Sequence, residues 1–151
     1  MSELNRLVGR PMEILLVEDG LVDARAAIEA LREGQIQHRL TLIRDGLEAM
    51  EFLQQEGRFT QAPRPDLVLL DLLLPKMSGI EVLKEVRRDY GLRELPVVVL
   101  TASESEEDKT KCEMFDVNAY IQKPVNLSKF LSVIKELRRF WLDDVIVPAV
   151  E

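Results

Sequence analysis

The chain holds one cysteine, one histidine and one tryptophan among its 151 residues. A single thiol, Cys112, excludes an internal disulfide and any cysteine-built zinc site; a redox role for it has little behind it. The one histidine, His38, stands before a short, polar-flanked strand segment and reads as a surface residue. No apolar run approaches the length of a membrane span. The opening residues from Met1 to Pro11 are polar and broken by Asn5, Arg6, Gly9 and Arg10, unlike a signal peptide. Lys and Arg number 20 against 27 Asp and Glu, a net charge of −7, which argues against a nucleic-acid surface or a polybasic membrane anchor. Neither a Gly-x-Gly-x-x-Gly nor a Walker pattern occurs, so nucleotide enzymes find no support. These absences predict a cytoplasmic protein with no nucleic-acid and no membrane partner.

What remains is an ordinary globular composition, 46% hydrophobic and 31% charged, long enough for one domain with a substantial core. The pattern divides into a lead-in at 1–11, a domain at 12–140 and a tail at 141–151. Strand-like segments fall at 12–18, 39–43, 66–71, 97–101 and 118–122. Three are unbroken apolar runs, as strands covered on both faces require; the second alternates (Leu40, Leu42) and reads as an edge. Helical segments lie between them. Asp23 is placed to cap the first, which carries Ala27, Ile28 and Leu31 and stops at Gly34. Leu47, Met50 and Leu53 mark the second, and Ser78-Gly79 opens the third. Ser105 and an acidic first turn open the fourth, which is weakly apolar. The fifth spans about 127–141, with Leu127, Phe130, Leu131, Ile134, Leu137 and Trp141 at helical spacing. Five-fold strand–helix alternation predicts an α/β doubly wound parallel sheet with right-handed crossovers, of flavodoxin-like order 2-1-3-4-5.

The apolar runs end in residues suited to phosphate. Ile14-Leu15-Leu16-Val17 runs into Glu18-Asp19, Leu67-Val68-Leu69-Leu70 into Asp71, Val97-Val98-Val99-Leu100 into Thr101, and Ala119-Tyr120-Ile121-Gln122 into Lys123-Pro124. In the order 2-1-3-4-5 the switch point lies between strands one and three, where such sheets bind ligands, and Glu18-Asp19 and Asp71 end those two strands. Carboxylates that close must share a proton or a cation. An oxygen-only donor set suits a hard ion, Mg²⁺ above all. A strand-end carboxylate beside Mg²⁺ is a nucleophile for a phosphoryl group. Lys123 and Thr101 would then meet the charge spread over the equatorial oxygens. Each piece alone has an ordinary explanation as a cap, a turn or a solvated strand end. Their meeting at one sheet edge does not.

These residues reach a family. Val17-Glu18-Asp19, Asp66-Leu67-Val68-Leu69-Leu70-Asp71, Leu74-Pro75-Lys76-Met77-Ser78-Gly79, Pro96 through Thr101-Ala102, and Ala119 through Pro124 together resemble the receiver domain of two-component response regulators, over about 12–140. The resemblance implies that Asp71 accepts a phosphoryl group from a sensor histidine kinase. It implies that Asp19, Asp71 and the backbone carbonyl of Leu73 bind Mg²⁺ (Mn²⁺ or Ca²⁺ as substitutes), with Glu18 acting partly through water. Thr101 and Lys123 would contact the phosphoryl oxygens. Tyr120 would be an aromatic switch moving with Thr101, and Lys123-Pro124 would be a cis peptide. The face of the fourth helix, fifth strand and fifth helix would change shape. Two departures stand out: Glu18, where many members carry Asp, and Leu73, where polar side chains are frequent. The apolar Leu73 is expected to hinder an attacking water and lengthen the life of the phosphorylated form. Lys76 and Met77 read equally well as kinase contacts or as exposed loop.

After the fifth helix come Phe140-Trp141-Leu142 and a short apolar tail, so no linker and no output domain are expected. That ending, with Val22-Asp23-Ala24-Arg25, is similar to the single-domain regulators that partner bacterial and cyanobacterial phytochromes. This predicts a phytochrome-type kinase partner and leaves a downstream phosphotransfer protein open. Val133, Leu137, Phe140, Trp141, Val145 and Ile146 widen the apolar surface at this end, as an interface does, and predict a symmetric homodimer; the alternative is a tail folded back on its own domain. Two other functions compete. One is an Mg-dependent aspartyl-phosphate phosphatase of haloacid-dehalogenase type, which needs an acid where Leu73 stands. The other is a receiver-like binding module that is never phosphorylated, against which Asp71, Thr101 and Lys123 argue. On the leading reading the protein is a phosphoacceptor, not an enzyme beyond its own phosphotransfer and autodephosphorylation.

Overall fold

A computed structural model describes residues 11–138. Five strands, β1 (Met12–Val17), β2 (His38–Ile43), β3 (Leu67–Leu70), β4 (Val97–Thr101) and β5 (Ala119–Gln122), form one parallel sheet of order β2-β1-β3-β4-β5. This is the predicted order, with β2 at an edge. Five helices connect and follow the strands: α1 (Leu21–Glu33), α2 (Gly46–Leu53), α3 (Gly79–Arg88), α4 (Glu106–Met114) and α5 (Leu127–Arg138).

Because strand side chains alternate between faces, each central strand feeds two cores. Leu15, Val17, Val68, Leu70, Val97 and Val99 pack on one face beneath α2 and α3. Ile14, Leu16, Leu67, Leu69, Val98 and Leu100 pack on the other beneath α1 and α5. Both faces are covered, which is why these runs carry no polar alternation.

Two sequence expectations are corrected here. Asp23 is not the cap of α1: Gly20 is, with no side-chain hydrogen bond, and Asp23 lies in the first turn. Leu137 is not available to a partner. It is 4% exposed and packs in the core with Phe130 and Ile134, because all three share the inward stripe of α5. Val133 is only partly buried against the same cluster. The remaining residues proposed for a dimer contact (Phe140, Trp141, Val145 and Ile146) lie outside the described residues.

Helix α4 buries only Cys112, so little apolar contact holds it. Arg87 of α3 compensates. Its guanidinium donates to the carbonyl oxygens of Phe115 (2.7 Å) and Asp116 (3.1 Å) at the end of α4, and to those of Leu95 (2.8 Å) and Arg93 (3.1 Å) before β4. Among side-chain types, arginine carries the rigid five-donor fork that can serve several carbonyls at once. Arg87→Ala is expected to cost about 2 kcal/mol in urea unfolding, the loss of several partly buried charged hydrogen bonds. A change below about 0.5 kcal/mol, the level of an ordinary surface substitution, would contradict this.

Candidate phosphoacceptor site

The sheet order puts the ends of β1 and β3 side by side. Val17 pairs with Leu70, and the Asp71 N–H donates to the Val17 carbonyl at 3.0 Å. Glu18 and Asp71 therefore emerge together at the carboxyl edge, 4% and 6% exposed. Thr101 ends β4, and the Lys123 N–H donates to its carbonyl at 2.8 Å, which brings the residue after β5 to the same edge.

Lys123 is the hub. Its Nζ pairs with Glu18 Oε1, with Asp71 Oδ2 at 3.2 Å and with Asp23 Oδ2 at 3.0 Å. The other oxygens are also satisfied: Gly20 N–H donates to Glu18 Oε2 at 3.0 Å and Leu73 N–H to Asp71 Oδ1 at 3.2 Å. Burial pushes the Glu18 carboxyl above its ordinary value; the hydrogen bonds from Lys123 and Gly20 offset part of this, and the charge of Asp71 adds to it. Burial pulls the Lys123 ammonium down, but its bonds to Glu18 and Asp23 and the field of Asp71 outweigh that, leaving it raised.

Asp19 stands apart. Its side chain is 53% exposed and 3.8 Å from the Arg44 guanidinium, which also donates to its backbone carbonyl. The acidic cluster about the cation is thus Glu18, Asp23 and Asp71, not the expected Glu18, Asp19 and Asp71, and among the described residues no set of three or more His, Cys, Asp or Glu side chains is arranged to hold a metal ion. The physical cause is charge: the ammonium draws in the carboxylates within its reach, and Asp19 finds Arg44 instead. Sequence reading missed Asp23 and Arg44 as site residues. An acid in the first turn of the helix leaving β1 was the available signal for the former.

Thr101 is fully buried, and its Oγ1 accepts from the Ser103 N–H at 3.2 Å. The Tyr120 hydroxyl donates to the Ser103 carbonyl at 3.2 Å, and its ring is partly buried. Both predicted switch residues therefore hold the same loop after β4. The Lys123–Pro124 peptide bond is cis. Leu73 is 59% exposed at the mouth of the site. Behind Asp71 the chain turns back on itself: a Cβ on Gly79 would lie 2.3 Å from the Asp71 carbonyl oxygen. Only glycine admits that approach.

Strand-end carboxylates, a hydroxyl and an ammonium on this sheet define a receiver, and the chain belongs to the response regulator receiver domain family, whose model matches residues 14–135. It is 45% identical over 139 residues to the response regulator Rcp1 of Synechocystis sp., covering 92% of this chain and 95% of that one. The crystal structure of the Mn²⁺-bound form of Rcp1 superposes with a TM-score of 0.76, covering 92% of this chain and 100% of that one at 45% identity. The phosphorylated cyanobacterial phytochrome response regulator RcpA does so with a TM-score of 0.76, 92% and 99% coverage and 44% identity. Membership in this family removes the haloacid-dehalogenase reading.

Proposed function

We propose that Asp71 accepts a phosphoryl group from a phosphohistidine on a sensor histidine kinase, in an Mg²⁺-dependent reaction. The observation that carries this is the buried pair Glu18 and Asp71 bridged by Lys123 at the sheet's carboxyl edge. A carboxylate in that setting is held in place by its cation and backed by a strand.

The donor set fits the metal. It is oxygen only, and Asp19, Asp71 and the Leu73 carbonyl would hold the ion, with Glu18 acting through water. Asp19's contact with Arg44 is a half-exposed pair, worth under about 1 kcal/mol, so its rotation toward a cation costs little. The bound ion supplies positive charge to the phosphoryl oxygens. Within the chain, Asp71 supplies the attacking oxygen, Lys123 meets one phosphoryl oxygen, and Thr101 turns its hydroxyl from Ser103 to another. Tyr120, which shares the Ser103 contact, follows the loop inward. The face of α4, β5 and α5 then shifts as a population change between existing states. The Mn²⁺-bound Rcp1 and phosphorylated RcpA support both parts of the reading.

RcpA is a cyanobacterial phytochrome response regulator, and this likeness supports a phytochrome-type kinase as partner. The remaining partners belong to the same reading: a downstream phosphotransfer protein, and a homodimer made through Val133 and the segment from Phe140 to Ile146. So does a cytoplasmic role as phosphoacceptor and not as an enzyme acting on other substrates; among the described residues no helix is long and apolar enough to cross a membrane. Light scattering of a chain cut after Arg139 tests the dimer: a monomer is expected, and a persistent dimer contradicts the tail contact.

Intact mass after incubation with a small phosphodonor tests the main claim. Wild type with Mg²⁺ should gain one phosphoryl group; wild type with chelator and Asp71→Asn should gain none. Equal labelling of Asp71→Asn would overturn the assignment, and no labelling of wild type would favour the binding-module reading. The exposed Leu73 gives a further expectation. Leu73→Asn should shorten the phosphorylated form's lifetime several-fold, by admitting and orienting water beside the acyl phosphate; an unchanged decay rate would rule out the shielding role.

A further inference from the structure

Asp23 was missed from sequence, and the family reading assigns it nothing. A lysine ammonium has three N–H donors, and at Lys123 all are matched by carboxylates: Glu18, Asp71 and Asp23. These acceptors are not equivalent. Glu18 and Asp71 have side chains 6% and 7% exposed at strand ends, whereas Asp23 is 51% exposed on α1. When Asp71 forms a new P–O bond, as the donor's own bond to phosphorus breaks, the phosphoryl oxygens need a donor from Lys123. The Asp71 contact passes to the phosphoryl group, because the carboxylate charge moves onto it; a second N–H can follow only if Glu18 or Asp23 gives one up. Releasing Glu18 would leave a buried carboxylate without its cation, which is costly. Releasing Asp23 returns a half-exposed carboxylate to water, at a cost within the range of surface ion pairs. There is also room: a cleft of about 340 Å³ between α1 and the start of α5 is lined by Asp23, Lys123, Pro124 and Leu127.

We propose that Asp23 is a positioning residue that holds the third N–H of Lys123 in the resting state and yields it to a phosphoryl oxygen when Asp71 is phosphorylated. This rests on the phosphoacceptor reading of Asp71. Asp23 competes with the phosphoryl group for one donor, so it weakens the phosphorylated state slightly. It also ties α1 to the chemistry, because the contact that breaks is the one between that helix and the loop after β5.

The test is a titration with beryllium fluoride, a phosphoryl mimic, at saturating Mg²⁺. The ¹³C resonance of the Asp23 carboxyl and the affinity are both followed. In wild type, the Asp23 resonance should move to that of a solvated carboxylate as the Asp71 site fills. Asp23→Asn should bind the mimic about threefold more tightly, about 0.7 kcal/mol at 1.4 kcal/mol per factor of ten, and Asp23→Glu should return to the wild-type affinity. A merely structural Asp23 would leave the resonance in place while the site fills, and that result overturns the proposal, as does an unchanged affinity in Asp23→Asn. If wild type and Asp71→Asn bind the mimic alike, the parent reading of Asp71 fails, and this one with it.

Discussion

Lys123→Met should accept phosphoryl groups about a hundredfold more slowly than wild type, the usual cost of removing one preorganised charge-stabilising donor. The same substitution should destabilise the fold. It leaves Glu18 and Asp71, 4% and 6% exposed, as buried carboxylates without their common cation. Removing one partner of a buried pair costs about 3 kcal/mol. The pH dependence follows from the directions of the shifts. Glu18 is raised above its ordinary value, chiefly by burial, and loses in the variant the hydrogen bond that lowered it. Between the ordinary carboxylate range and its raised value the native state binds more protons than the unfolded state. Stability there rises as pH falls. Lys123 is raised as well, so its contribution in wild type is complete below the ordinary lysine value of 10.5 and is lost as pH rises through the higher native one. The gap between wild type and variant should therefore be widest near neutrality and narrow in acid and in strong base. Denaturant unfolding across pH checks this; a gap independent of pH would show that Lys123 acts by packing instead of charge.

Gly46→Ala should lower stability by about 3 kcal/mol, the upper part of the range for overpacking, and the melting temperature by roughly 10 °C. The reason is local. A Cβ on Gly46 would sit 1.9 Å from the carbonyl oxygen of Met77 and 2.7 Å from its carbonyl carbon. Those are backbone atoms, with no flexible side chain to swing away. Gly46 also donates to the Pro75 carbonyl at 3.3 Å, so the start of α2 is seated on the loop that leaves Asp71. Moving that loop should slow phosphoryl acceptance as well. Gly91→Ala is the control: its nearest atom would be Asp89 Oδ1 at 3.4 Å, and its effect should stay within about 0.5 kcal/mol. Equal melting temperatures for Gly46→Ala and wild type would show that the loop is not clamped.

The contrast between these two positions and the strand ends shows what a sequence carries openly. Apolar runs such as Leu67–Leu70 and Val97–Leu100 announce strands covered on both faces, because a two-faced core leaves no polar alternation. Once the order 2-1-3-4-5 was inferred, Glu18, Asp71, Thr101 and Lys123 had to share an edge. Side-chain choices at that edge were not legible. Asp23 and Lys123 are 100 residues apart, and no periodicity records their pairing. Asp23 looked like a cap because acids favour helix starts, yet its charge is spent on the ammonium. The Asp19 side chain faces Arg44, a pairing that no spacing in the sequence announces. Leu137 counted equally well toward an inner or an outer stripe of α5 until Phe130 and Ile134 showed which way the helix faces. The clamp at Gly46 and the fork of Arg87 are contacts to backbone atoms, which no side-chain pattern reports.

Borohydride reduction of the phosphorylated protein, followed by peptide mass mapping, reads the account's central claim at the level of one residue. Hydride reduces an acyl phosphate to a primary alcohol with loss of phosphate, leaving a distinct mass at the residue that carried it. Protein treated with a phosphodonor and Mg²⁺ should show that mass at Asp71 alone, with Glu18, Asp19 and Asp23 unchanged. Reduction at one of those neighbours, or at none while the intact protein carries phosphate, would contradict it.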